Sequence, residues 1–444
     1  MKRIVVLGGG ESGSGAAVLA KVKGFEVFLS DNGKIEEKYA ARLSEYGIPY
    51  EEGGHTIEKI YNADEVIKSP GIPDTALLII GLNARGISVI SEIEFAGRYD
   101  NSRKICVTGS NGKTTTTSLI YYLLKNAGLN VGLGGNIGQS YAFQVATQEY
   151  DIYVLEISSF QLDGMYEFRA DIAVLLNITP DHLDRYGYQM QNYINSKFRI
   201  TRNMAKEDCF IFCSDDEITI EHLNRIVIQA QKLPFSQNNV VEQGAYVEGD
   251  RMCVRYGDGS YEMFLHELAL QGKHNIYNSM AAAITGKIMN ITNSAIKDAL
   301  TTFKGVEHRM EKVLSVGGVM YINDSKATNV NSTWYALESI KTPIVLILGG
   351  TDKGNDYSPI ADLVKEKVRA IVCLGVDNRK IHDFFGDKVA EIHDTRSAEE
   401  AVKMAASIAK KGDTVLLSPS CASFDLFHNY EDRGRQFKAA VKNL

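Results

Sequence analysis

Short runs of β-branched and other apolar residues recur along the chain. Each is closed by glycine or a polar cluster and followed by a stretch with helical periodicity. The runs Ile4–Leu7, Val27–Leu29, Val66–Ile67, Ile105–Val107, Ile152–Leu155, Ile172–Leu176, Ile344–Leu348, Ile371–Leu374 and Val415–Leu417 predict buried parallel strands, because a strand covered on both faces displays no polar side. Amphipathic stretches such as Thr114–Ala127 and Ala398–Ala409 predict helices between them. This alternation predicts α/β architecture with doubly wound sheets. No short-period repeat or low-complexity tract interrupts it.

Length sets how many such sheets to expect. At about 100–200 residues per domain, 444 residues predict three domains and enough chain to bury several cores. One break precedes the basic-polar stretch Tyr99–Lys104, and the other falls near Phe303–Gly305. Domains are therefore expected at residues 1–91, 92–304 and 305–444.

Composition narrows the function classes. Apolar residues make up 44% and charged residues 23%, which argues against disorder. The net charge of −7, with no basic block, excludes a chain built as a whole to bind nucleic acid or an anionic membrane. Of the six cysteines only Cys209 and Cys213 are close, and no second pair completes a zinc spacing, so a reduced protein is expected. The opening MKRIVVLGGGESG reads as a first strand and its turn, not a signal peptide. No apolar run approaches the ~18 residues of a membrane span. The expectation is a soluble, cytoplasmic protein.

Candidate chemistry sits in the turns. Gly8-Gly9-Gly10-Glu11-Ser12-Gly13 fits G-x-G-x-x-G after a strand and before a helix expected near Ala16, and Asp31 follows the second strand. Glycines let a diphosphate approach the backbone, the helix N-terminus faces its charge, and the carboxylate can hold a ribose hydroxyl. Taken alone this turn suits a nicotinamide-dependent oxidoreductase, any other diphosphate nucleotide, or a tight turn needing glycine only for packing. A second strand runs into Thr108-Gly109-Ser110-Asn111-Gly112-Lys113-Thr114-Thr115. Its backbone N–H groups and Lys113 can cradle β- and γ-phosphates, and the Thr114 hydroxyl can ligate Mg²⁺. Val107 stands where the common phosphate-loop pattern has its first glycine.

Glu156 ends the next strand, where a Mg²⁺-facing carboxylate belongs. Asn177-Ile178-Thr179-Pro180-Asp181-His182-Leu183-Asp184 closes another strand. On its residues alone His182 reads as a solvated or hydrogen-bonded loop histidine, and Lys197 as a surface lysine of a helix. Three polar clusters follow strands near the C-terminus: Asn323–Asn329, Gly349–Gly354 and Ser418–Asp425. They mark either ligand contacts at a sheet edge or well hydrogen-bonded turns.

Together these segments resemble the Mur ligases, ATP-dependent amino-acid ligases of peptidoglycan synthesis. The resemblance spans the whole chain, in order: TGSNGKTT (Thr108–Thr115), GGNIG (Gly134–Gly138), EISSFQL (Glu156–Leu162), DHLDRY (Asp181–Tyr186), GKHNIYN (Gly272–Asn278), His308-Arg309, NDSKATN (Asn323–Asn329) and SPSCASF (Ser418–Phe424). It implies an N-terminal Rossmann-like domain for a UDP substrate, a central phosphate-loop-type ATPase domain, and a C-terminal Rossmann-like domain for an amino acid. The glycine turn and SPSCASF point, within the family, to joining D-glutamate to UDP-MurNAc-L-Ala, by a monomer with ATP and Mg²⁺ and no nucleic acid. A folylpolyglutamate-synthetase-like ligase is the alternative within the fold.

Carried over by motif, Lys113, Glu156, His182 and Lys197 are implied as catalytic. Gly109, Ser110, Asn111, Gly112, Lys113, Thr114, Thr115, Asn275, Asn278, Arg309 and Asp324 are implied for ATP. Thr114 and Glu156 would hold one Mg²⁺, and His182 and Lys197, the latter as a carbamate, a second. Ser12, Asp31, Ser69, Pro70, Gly71 and Asn136 are implied for the UDP substrate. Thr328, Lys353, Ser423 and Tyr430 are implied for D-glutamate, with Tyr430 standing where the family often has phenylalanine.

Overall fold

Three sheets carry the strands that the apolar runs predict. The computed structural model describes all 444 residues. It contains every predicted strand, with no end displaced by more than three residues. The first sheet is wholly parallel, in the order Tyr50–Glu51, Glu26–Ser30, Arg3–Leu7, Glu65–Lys68, Ser88–Ile90. Its strand order reverses between Arg3–Leu7 and Glu65–Lys68, so the glycine turn after Leu7 opens at the crevice where such sheets place ligands.

The helix after that turn starts earlier than expected, at Glu11 rather than near Ala16, and runs Glu11–Val22. Gly8 adopts φ +95°, a conformation costly for other residues, and completes the reversal at once. Gly13 consequently lies inside the helix, where an added Cβ would sit 1.8 Å from the Gly8 carbonyl oxygen. Gly8 is required by its backbone conformation and Gly13 by the close approach of the Gly8 carbonyl.

The second sheet has nine strands, ordered Gly259–Phe264, Arg251–Tyr256, Gly244–Glu248, Gln231–Ser236, Cys209–Cys213, Ile172–Leu175, Arg103–Thr108, Ile152–Glu156, Val131–Gly135. Its first three form an antiparallel ribbon that the apolar runs do not reveal. In Arg251–Tyr256, buried Met252, Cys253 and Val254 are bracketed by exposed Arg251 and Arg255, because only part of an edge ribbon faces the core. The two sheets share one hydrophobic core, which joins Ile4, Val6 and Ala16–Ala20 to Tyr141, Leu155, Ala173 and Phe210. Helix Glu11–Val22 packs against helix Tyr141–Thr147, so tightly that a Cβ on Gly15 would meet Ser140 Oγ at 2.0 Å. Met1–Leu268 and Asn275–Phe303 thus form one compact unit.

Ala269–His274 and Lys304–Leu444 form the second unit. Its sheet is ordered Glu311–Val316, Val319–Asn323, Thr414–Leu417, Ile344–Leu348, Val368–Leu374, Ile392–Thr395, and only the first pair is antiparallel. Along Ile344–Leu348 the alternation of a strand divides residues between two cores. Ile344, Leu346 and Leu348 enter one, and Val345 and Ile347 the other, as a sheet covered by helices on both faces demands. The α/β class and the three parallel-rich sheets agree with the sequence reading.

Candidate active site

The segment after strand Arg103–Thr108 builds a densely hydrogen-bonded loop. Gly109 (φ +146°) and Gly112 (φ +83°) turn the chain so that helix Lys113–Asn126 starts directly after it. Lys113 Nζ donates to the carbonyls of Gly109 and Ser110, both at 2.8 Å. The loop is anchored from the next strand end. Asn111 N–H donates to Asn177 Oδ1 at 2.9 Å, and Asn177 Nδ2 returns a bond to Asn111 O at 3.1 Å. Ser110 Oγ donates to Thr179 O and accepts from Thr179 N, each at 2.9 Å. Thr114 is buried in the first helical turn, and Thr115 is half-buried. Val107 is a wholly buried strand residue, so the missing first glycine of the common pattern is replaced by core packing. Asn278, also buried, accepts from Thr116 Oγ1 at 3.0 Å and donates to Asn275 at 3.1 Å.

Glu156 ends strand Ile152–Glu156 and is 1% exposed. Its Oε1 accepts from Asn136 Nδ2 at 2.8 Å, which joins a residue expected at the UDP substrate to one expected at Mg²⁺. His182 sits in the left-handed region at φ +52°, half-exposed, edge-on to Phe160 at 5.1 Å and with Nε2 3.7 Å from Asp181 Oδ1.

Lys197 corrects the reading of its sequence context. It is no surface lysine but 2% exposed, and its Nζ donates to Gly109 O at 2.9 Å. Burial pushes its amine well below the ordinary lysine value, and the neighbouring Lys113 ammonium adds to that push against Asp181 and Glu156. The helix Met190–Phe198 places it there with Tyr193, whose ring lies 5.2 Å from Nζ.

At the first sheet, Asp31 accepts from Gly9 N–H at 2.5 Å and Gly33 N–H at 2.7 Å, so its carboxylate shapes the glycine turn. Ser69 crowds Gly8, where a Cβ would lie 2.4 Å from Ser69 Oγ. Ser12 bonds Glu92. Sequence reasoning passed over Glu92, which is 1% exposed and accepts from Ala142 N–H at 3.0 Å as well as from Ser140 Oγ. Burial raises its carboxyl. The only signal is its place after Ser91, the cap of a short helix. Arg185, inside DHLDRY, reaches the carbonyls of Pro70, Gly71 and Ile72, each at 3.3 Å, while its guanidinium lies 4.3 Å over the Phe160 ring. The expected UDP loop and the expected ATP domain are tied through this one side chain.

In the second unit, buried Asp324 accepts from Met310 N–H at 3.2 Å and Ser418 Oγ at 3.0 Å. Burial pushes its carboxyl up to about 6, against the pull of Arg309. Thr328 N–H donates to Lys326 O, Lys353 is exposed, and Ser423 is 2% exposed. Tyr430 O accepts from Ser325 Oγ at 2.8 Å, and its ring lies 5.3 Å from Lys326 Nζ. Arg433, one helical turn beyond Tyr430, carries no signal in a helix that reads as solvated, yet it is wholly buried. It donates to Ser325 Oγ at 3.0 Å, Ser325 O at 2.8 Å and Cys421 O at 3.2 Å. It thereby fastens NDSKATN to SPSCASF.

Sheets of this order, a phosphate-type loop and these terminal clusters have counterparts among known proteins. Residues 3–77 match the MurD N-terminal domain, residues 107–286 the Mur ligase middle domain, and residues 308–421 the Mur ligase glutamate ligase domain. The chain belongs to the Mur ligase family. It is 60% identical over 449 residues to the UDP-N-acetylmuramoylalanine--D-glutamate ligase of Bacteroides fragilis, covering 100% of both chains. It is 59% identical over 447 residues to the protein of the same name from Bacteroides thetaiotaomicron, again covering 100% of both. Among solved structures, the UDP-N-acetylmuramate-alanine ligase of Thermotoga maritima is similar in fold, with a TM-score of 0.64 at 20% identity over 100% of this chain and 99% of that one.

Proposed function

We propose that the chain is a cytoplasmic, monomeric ligase that joins D-glutamate to UDP-N-acetylmuramoyl-L-alanine at the expense of ATP, a step of peptidoglycan synthesis. The observation that carries this reading is the end-to-end identity of 60% with a D-glutamate ligase, and the glycine turn of the first sheet and the loop before helix Lys113–Asn126 support it. Residues 1–91 would take the UDP substrate, 92–304 ATP, and 305–444 the amino acid.

The substrate carboxylate attacks the γ-phosphorus, the bond to the bridging oxygen breaks, and ADP leaves an acyl phosphate. The D-glutamate amine then attacks the acyl carbon, loses a proton, and expels phosphate. Such chemistry is positioning and charge stabilisation. Backbone N–H groups of Gly109–Thr115 and the Lys113 ammonium receive the nucleotide phosphates. Arg309 and Asp324, with Asn275 and Asn278, would position the nucleoside. Ser12, Asp31, Ser69, Pro70, Gly71 and Asn136 would orient the UDP substrate, with Arg185 fixing the Ser69–Gly71 loop. Thr328, Lys353, Ser423 and Tyr430 would hold the D-glutamate carboxylates and exclude water.

The donor set suits Mg²⁺, which prefers oxygen ligands. Thr114 offers a buried hydroxyl and Glu156 a buried carboxylate. An ammonium is no ligand, but a lysine amine kept neutral by burial can add CO₂ and lose a proton, giving a carbamate with two oxygens. Burial lowers the Lys197 amine in that direction, which supports the reading. Held by Thr114 and Glu156, and by His182 with carboxylated Lys197, Mg²⁺ would supply charge neutralisation for the phosphoryl group.

The test is a product assay with UDP-N-acetylmuramoyl-L-alanine, ATP and a panel of amino acids. ADP should form only with both co-substrates, and D-glutamate should give a stable amide. Equal turnover with L-glutamate, turnover with folate replacing the nucleotide sugar, or a nicotinamide absorbance change would sink the reading.

A further inference from the structure

Outside these motifs, three metal-ligating side chains meet at the edge of the second unit. Cys373 on strand Val368–Leu374 and Asp394 on strand Ile392–Thr395 are register partners, so their side chains leave the same face of the sheet. His382, on helix Arg379–Phe385, covers that face with Nε2 3.1 Å from each Asp394 oxygen. The thiol sulfur, the imidazole nitrogen and a carboxylate oxygen all lie within 4.8 Å of one another. Tetrahedral zinc bonds place such atoms roughly 3.3–3.6 Å apart, so small side-chain rotations close the set.

Further observations favour an ion here. Asn378 Nδ2 donates to Asp394 Oδ1 at 2.8 Å and to Gly375 O at 3.2 Å. Both partners are acceptors, so the amide orientation is fixed and steadies the carboxylate, as outer partners do for metal ligands. Cys373 is wholly buried, whereas the His382 and Asp394 side chains are 39% and 58% exposed. A cation can enter from solvent and keep water as its fourth ligand. The spacing of these residues, 373, 382 and 394, matches no linear zinc motif, because the sheet register and a helix bring them together.

We propose that Cys373, His382 and Asp394 form a binding site for a thiophilic divalent cation of the zinc class. On binding, the Cys373 S–H bond breaks, its proton passes to water, and a sulfur–metal bond forms. His382 ligates through neutral Nε2 and Asp394 through one oxygen. The ion clamps the edge strand Ile392–Thr395 and helix Arg379–Phe385 to strand Val368–Leu374.

Cobalt(II) titration of the full-length, reduced chain in excess Mg²⁺ tests this. One Co²⁺ per chain should bind with a near-ultraviolet thiolate charge-transfer band and strong visible bands of tetrahedral cobalt. One equivalent of Zn²⁺ should bleach them. Cys373→Ser should remove the charge-transfer band, and both Cys373→Ser and His382→Gln should weaken Co²⁺ and Zn²⁺ binding by about tenfold or more. Cys253→Ser, in the ribbon of the first unit, should leave both unchanged. His382→Gln, at a half-exposed position, decides the matter should Cys373→Ser fail to fold. A wild-type chain without the thiolate band at saturating Co²⁺, a band that survives in Cys373→Ser, or an unchanged metal affinity in His382→Gln overturns the proposal.

Discussion

Replacing Arg433 by methionine should unfold the second unit far more easily than the first. The guanidinium is wholly buried and lies within hydrogen-bonding distance of Ser325 Oγ, Ser325 O and Cys421 O, with both Nη atoms reaching Cys421 O. Burial brings it down only to about 10, so it is charged at neutral pH and its bonds are charge-assisted. Methionine fills much of the volume but leaves two buried carbonyls without donors. At about 1–3 kcal/mol for each orphaned acceptor, plus the packing mismatch, the loss should be about 3–5 kcal/mol. Arg433→Lys keeps the charge but not the planar fork, and should lose about 1–3 kcal/mol. The chain provides its own probe, since its single tryptophan is Trp334, on helix Val330–Ser339 of the second unit. Urea unfolding followed by Trp334 emission therefore reads this unit alone, and at ~2 kcal/mol/M the midpoint should fall by about 2 M. A shift worth less than about 1 kcal/mol would show that the loops hold together without the arginine.

Three further outcomes are expected. Asp324 has a folded value of about 6, above its ordinary 3.8, so its contribution to stability is complete below pH 3.8 and is lost as pH rises through 6. The Trp334-detected stability should drop by up to about 3 kcal/mol across that window, and Asp324→Asn should abolish this slope; an unchanged slope refutes the assignment. Arg185→Ala removes three long hydrogen bonds and a cation–π contact, which predicts a rise in KM for the UDP substrate of about 5–30-fold with kcat less affected. An unchanged KM in steady-state assays would rule out a positioning role. Lys197→Arg cannot form the carbamate and should lose about 10²–10³-fold in kcat. Wild-type enzyme prepared free of CO₂ should regain activity with bicarbonate, and full activity in the variant without bicarbonate dependence would remove Lys197 from the site.

The sheets were legible because buried parallel strands are continuous apolar runs, as in Ile344–Leu348. The ribbon Gly244–Phe264 was not, since its strands mix charges with apolar residues at an exposed edge. The start of the first helix was misplaced because nothing in GGGESG shows how quickly Gly8 reverses the chain. For the candidate site, Gly109–Thr115 could be read from residue types alone, because a glycine loop between strand and helix leaves little else to do. Lys197, Glu92 and Arg433 could not, because burial of a charged side chain is a tertiary fact. Helical periodicity places Lys197 and Arg433 on a face but does not say what covers it. The role implied for Lys197 came from family resemblance, and the burial that makes it chemically sensible came from the structure.

The two-unit partition has a consequence for synthesis on the ribosome. The chain leaves the first unit after Leu268, gives Ala269–His274 to the second, and returns to the first until Phe303. The first unit therefore cannot complete its core until Phe303 has emerged. The short segment Ala269–His274, made earlier, waits for partners encoded from Lys304 onward. At 5–20 residues per second that wait is roughly 10–30 s. Truncated products ending between Leu268 and Phe303 should thus be the most exposed to chaperones and proteases, and slow codons just after Phe303 would give the first unit time to close before the second begins.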